Sequence, residues 1–127
     1  QQMQMILKNN LYKISASNIE EKSFNLELVP DCVIYQAHFP EQPITPGVCI
    51  IQIASELLNE LLQTEYKLTT VSNAKFLAVI NPLDTAFVTY TFNKLVFDED
   101  TKTVKASVVV SNTDTVFTKL SLVYKKQ

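Results

Sequence analysis

The sequence predicts an α+β fold in which a curved antiparallel sheet wraps one long central helix. A single segment of helical apolar spacing lies mid-chain, and alternating apolar and polar stretches flank it, joined by short polar turns. Size agrees, because 127 residues make one domain, 1–127. At that length folding buries roughly two thirds of the surface the unfolded chain exposes, enough for one core without staples.

Leu11 to Ala16 alternates, with Tyr12, Ile14 and Ala16 on one face. Phe24, Leu26 and Leu28 do the same opposite Asn25 and Glu27, and polar Asn18 to Lys22 joins the two strands. From about Pro46 to Thr64 the period turns helical. Val48, Ile51, Ala54 or Ser55, Leu58 and Leu61 or Leu62 form the apolar stripe, and Gln52, Glu56, Asn59 and Gln63 a polar stripe beside it. Thr45 is the candidate cap, and Pro46 suits a first-turn position whose N–H would be unpaired anyway. At ~1.5 Å per residue such a helix is about 28 Å long, the span of a domain this size.

Val88, Tyr90 and Phe92 then alternate with Thr89, Thr91 and Asn93, and the phase slips near Lys94, which predicts a bulge. Val104, Ala106, Val108 and Val110 make the next strand; Val116, Leu120, Leu122 and Tyr124 make the last. The turns Asp98-Glu99-Asp100-Thr101 and Asn112-Thr113-Asp114 are short, so these strands are antiparallel neighbours. Long strands leave edges, and pairing two sheets into a dimer hides one of them.

Composition narrows the function classes. Apolar residues at 46% and charged residues at 19% argue against disorder. A net charge of −2 argues against a basic nucleic-acid footprint and a cationic membrane-surface patch. No apolar run approaches the ~20 residues that span a bilayer. The start Gln1-Gln2-Met3-Gln4-Met5 lacks a basic-then-apolar leader and reads as a trimmed or appended end, so cytoplasm is the expected compartment. Two cysteines, Cys32 and Cys49, and one histidine exclude a disulfide scaffold and a multi-ligand zinc site.

The single glycine, Gly47, stands where average usage of ~7% would give about nine. It is kept where backbone geometry or close approach demands it. The only histidine lies just before it, in Ala37-His38-Phe39-Pro40-Glu41-Gln42-Pro43-Ile44-Thr45-Pro46-Gly47-Val48. Three prolines in seven residues stiffen this approach to a helix N-terminus, where free N–H groups stabilise an anion or a polarised carbonyl. A base beside such an amide is the minimum apparatus for removing a proton α to a thioester carbonyl. The bland alternative is a structural histidine and prolines that merely end a strand.

His38-Phe39-Pro40, then Pro43-Ile44-x-Pro46-Gly47-Val48 and an apolar helix, resembles the 3-hydroxyacyl-acyl-carrier-protein dehydratases of the hotdog fold. Asn73-Ala74-Lys75-Phe76 followed by Val79-Ile80-Asn81-Pro82-Leu83-Asp84 is similar to that family's basic-residue–Phe strand and its Val-x-Pro-Gly-Asp. The resemblance implies that His38 removes the α proton, that the Gly47 amide binds the thioester carbonyl, and that a carboxylate on the central helix protonates the departing hydroxyl. It implies a homodimer or higher assembly of dimers, a substrate carried on acyl carrier protein, and no metal or redox cofactor.

The chain departs from the pattern in the acid. Gln52 occupies its position, and an amide positions a hydroxyl but gives up no proton at neutral pH. Glu56 stands one turn on, reversing the usual Glu-x-x-x-Gln, so Glu56 is the candidate acid and Gln52 the candidate orienting group. Glu41 and Leu83 replace family glycines, and Asp84 reads as a turn or cap residue. Phe39, Ile44, Val48, Ile51, Phe76 and Leu77 are candidates for the acyl tunnel, and Cys49 for an apolar filler. Two alternatives stay open: a hotdog acyl thioesterase that works through Glu56 or Glu41, and a catalytically impaired subunit that binds acyl thioesters within a dehydratase complex.

Overall fold

The computed structural model describes residues 5–37 and 41–127. Its elements run β1 (Tyr12–Asn18), β2 (Ser23–Leu28), α1 (Val33–Ala37), α2 (Gly47–Leu62), β3 (Tyr66–Phe76), β4 (Phe87–Asp98), β5 (Thr103–Ser111) and β6 (Val116–Lys126). The strands form one antiparallel sheet in the order β1-β2-β4-β5-β6-β3, with β1 and β3 as its edges.

Four buried tyrosines show how far the sheet curls around α2. Tyr12 of β1 donates to Glu56 at 2.8 Å, Tyr90 of β4 to the Ile50 carbonyl at 3.0 Å, and the Tyr124 hydroxyl of β6 lies 3.0 Å from that of Ser55. Tyr35 of α1 meets Thr45, just before the helix, at 2.7 Å. Phenols reaching α2 from β1, the middle and β6 fix the helix in the concave face, and each of the four phenol hydroxyls is partnered.

The core stripe of α2 is rotated from the expected one. Cys49, Ile50, Ile53, Ala54, Leu57 and Leu58 are buried, whereas Ile51 is half-buried and Val48 is 76% exposed. Apolar residues cover so wide an arc of this helix that the sheet takes its middle. Val48 is left on the side of Gln52 and Asn59. The cap also differs: Pro46 is the N-cap residue, with no side-chain cap bond, and the Thr45 hydroxyl serves Tyr35 instead. The helix ends at Leu62, with Gln63 left-handed (φ 52°). Its 16 residues make it about 24 Å long.

Most strand expectations hold: Phe24, Leu26, Leu28, Val88, Tyr90, Phe92 and the inward residues of β5 are buried, and the bulge falls between Phe92 and Lys94. Two details change. A bulge after Ile14 pairs Ala16 with Asn25 and takes Ala16 off the core face. At the start of β6, a register shift buries Phe117 and leaves Val116 exposed. The short helix α1 has no counterpart in the expected elements.

Candidate active site

The described residues on either side of the predicted base are anchored. Before it, α1 is anchored by buried Tyr35, whose phenol is pushed up to about 12 by burial and so stays a neutral partner for Thr45. After it, the Thr45 amide donates to the Ile80 carbonyl at 2.9 Å. His38 and Phe39, with Pro40, lie outside the described residues.

Gly47 opens α2, and its φ is not positive, so its glycine character answers a close approach. A Cβ there would stand 2.9 Å from Cζ of Phe76, whose ring lies over the helix start. The first-turn amides of Gly47 and Val48 have no intrahelical acceptor, whereas Pro46 already accepts from Cys49 (2.9 Å) and Ile50 (3.0 Å). Among the described residues these two donors have no partner, and they follow closely on Thr45, where the described anchor lies. Beside them, Cys49 is buried, and desolvation raises its thiol, which suits a filler and opposes a thiolate nucleophile.

Gln52 and Glu56 are brought together. Gln52 Nε2 donates to Glu56 Oε2 at 3.0 Å and to the Met5 carbonyl at 2.6 Å. Glu56 Oε2 also accepts from the Leu7 amide (2.8 Å), while Oε1 accepts from the Lys8 amide (2.9 Å) and the Tyr12 hydroxyl (2.8 Å). Four donors thus take the four lone-pair positions of one half-buried carboxylate. Lys8 adds an exposed ion pair with Glu60 at 2.9 Å. Residues Met5 to Lys8, of which only Met5 belongs to the end expected to be trimmed or appended, therefore form a strap along the polar face of α2.

A groove of about 910 Å³ runs between this face and edge strand β3, with Val48, Ile51, Gln52 and Ser55 on one side and Leu68 and Val71 on the other. Of the tunnel candidates, Val48 and Ile51 line it. Ile44 is half-buried nearer the helix start, while Phe76, the last residue of β3, and Leu77 after it are half exposed. Glu41 is exposed, and Asp84 sits in a turn closed by its amide on the Asn81 carbonyl at 3.0 Å. The strap and Tyr12 are the parts that sequence reasoning missed. The available signal was the apolar pair Leu7 and Leu11, both buried, ahead of β1.

Over residues 15–115 the sequence matches the family model for ApeI-like proteins, described as ApeI dehydratase. The chain belongs to the ApeI-like dehydratase family. Both motif regions, 37–48 and 73–84, fall within the matched span. A curated relative is the 3-hydroxyacyl-[acyl-carrier-protein] dehydratase FabZ of Rickettsia africae, 31% identical over 62 residues, 42% of this chain and 43% of that one. The chain thus spans under half the length of that relative. Among solved structures it is similar to the dehydratase heterocomplex ApeI:P from Xenorhabdus doucetiae, with TM-score 0.60 and 18% identity over 84% of this chain and 89% of that one. It is also similar to the (R)-hydratase from A. caviae involved in PHA biosynthesis, with TM-score 0.54 and 16% identity over 76% and 73%. These likenesses establish the hotdog fold for this ApeI-like chain, which is a divergent member of the hotdog dehydratases.

Proposed function

We propose that this chain, folded as one hotdog domain, is a dehydratase of 3-hydroxyacyl thioesters carried on acyl carrier protein. It works as a homodimer or an assembly of dimers in the cytoplasm. His38 takes the α proton as general base. The Gly47 amide receives the negative charge that develops on the thioester oxygen, where a fixed donor at a helix start is worth most. The Cβ–O bond breaks, the Cα–Cβ double bond forms, and the hydroxyl leaves as water with a proton from the acid. Gln52 orients that hydroxyl, and Glu56 supplies the proton once the strap withdraws one of its four donors. The observation that supports this reading is the pair of first-turn amides, Gly47 and Val48, which have no acceptor among the described residues and follow closely on Thr45, itself held by Tyr35 and Ile80.

One observation favours a second reading. With Gln52 in the acid's place and Glu56 saturated by its own chain, the subunit would bind acyl thioesters and turn them over only beside a partner that brings a carboxylate. That a solved relative is a heterocomplex agrees with this.

The test is hydration of an enoyl thioester by purified protein, with His38→Ala, Gln52→Glu and Glu56→Gln in parallel. The first reading expects turnover in the parent, none in His38→Ala, and a loss of about 10²-fold or more in Glu56→Gln. An inactive parent that gains activity in Gln52→Glu selects the second. Full activity in His38→Ala, or thiol release without hydration, removes both.

A further inference from the structure

The net charge of −2 conceals a basic face. Strands β3 to β6 carry seven lysines and one carboxylate, Asp98. Their registers place the outward residues in four rows across the sheet. Lys67, Lys125, Thr103 and Asp98 form the first row, and Thr70, Val123, Lys105 and Val96 the second. Asn73, Ser121, Ser107 and Lys94 form the third, and Lys75, Lys119, Val109 and Thr91 the fourth. Six lysines therefore share a field of about 14 by 20 Å, on the side of the sheet away from α2. Asp98 sits in its corner, with Oδ1 engaged by the amides of Asp100 and Thr101.

Two further observations point to a ligand. Lys75 opposes Lys119, and Lys67 opposes Lys125, as direct cross-strand pairs, an arrangement that costs stability with no carboxylate between them. Local rules are broken in this way at functional sites. Between the two pairs, the surface dips into a hollow of about 280 Å³ whose polar lining is Lys94, Lys105, Ser72, Ser107 and Ser121. Ser107 and Ser121 are half-buried cross-strand neighbours. Their hydroxyls make no hydrogen bond among the described residues, unlike the phenols on the other face.

We infer that this hollow is a binding site for a phosphate ester, held by the Lys94 and Lys105 ammonium groups and the Ser107 and Ser121 hydroxyls within the field of the flanking lysine pairs. Ammonium groups bind phosphate as point charges, and hydroxyls supply directional donors. The site is separate from the acyl-thioester chemistry proposed above and stands or falls without it.

The experiment titrates the full chain with pyrophosphate at constant ionic strength, following backbone amide resonances, and repeats this with phosphatidylcholine vesicles containing phosphatidylglycerol. Saturable shifts at Lys94, Ser107 and Ser121 are expected. Lys94→Gln with Lys105→Gln should weaken binding about tenfold or more, whereas Lys13→Gln with Lys22→Gln, which removes the same charge elsewhere, should leave it unchanged. Saturation by pyrophosphate identifies a soluble phosphate group as the ligand, and response to vesicles alone identifies a lipid headgroup. Binding of neither, or equal weakening by the two variant pairs, overturns the site. A parallel titration with polyglutamate completes the test, and a response confined to it overturns the site by marking an acidic protein surface instead.

Discussion

Glu56 gathers two amides, a phenol and a carboxamide onto a single carboxylate, so it bears on fold and on chemistry together. Glu56→Gln turns an NH₂ toward groups that are themselves donors, and should cost about 1–3 kcal/mol in urea denaturation. Tyr12→Phe removes one donor and leaves the carboxylate. If Glu56 is the acid, Tyr12→Phe keeps turnover while Glu56→Gln loses it at a temperature where both variants remain folded. Equal rates in the two would assign Glu56 to the strap alone. The glutamine and glutamate were legible in the sequence as a reversed pair; the strap that joins them was not. Its donors are backbone amides almost fifty residues away, and main-chain donors leave no mark in composition or periodicity.

At the scale of elements, alternation located all five strands it was asked to place, with changes only at Ala16 and Val116, because a half-buried antiparallel strand shows its period directly. Helix α2 was equally visible, yet its buried side was misread, since ten apolar positions admit more than one stripe and only the packed sheet selects among them. The edge strand β3 carries little alternation and was seen only at its end, through Lys75 and Phe76. Next to it, Thr118 of β6 is fully buried, and its Oγ1 has no partner among the described residues. Replacing it by the isosteric valine removes an orphaned hydroxyl and should raise stability by about 1 kcal/mol. Thermal melting checks this, and a lower midpoint would mean that the hydroxyl is engaged.

For the molecule as a whole, burial of phenols couples the fold to alkaline pH. Tyr35 and Tyr124 are each raised to about 12, and Tyr12 and Tyr90 are raised as well, with desolvation the leading cause in all four. A group raised in the folded state stabilises fully below its unfolded value, here 10.0, and that contribution is lost as pH climbs through the folded value. Urea midpoints should therefore hold below pH 10 and fall between 10 and 12 as unfolded tyrosines ionise. Tyr35→Phe should shallow that fall, and an unchanged slope would show that its phenol titrates freely.

The core of the account is that a histidine and a helix-start amide act on one acyl thioester, a claim both functional readings share. It is tested most directly without any acid: incubate the protein with a saturated acyl thioester in D₂O and follow α-proton exchange by NMR. Exchange is expected in the parent and in Glu56→Gln, and none above background in His38→Ala. Exchange that survives loss of the imidazole, or none in the parent, would contradict it.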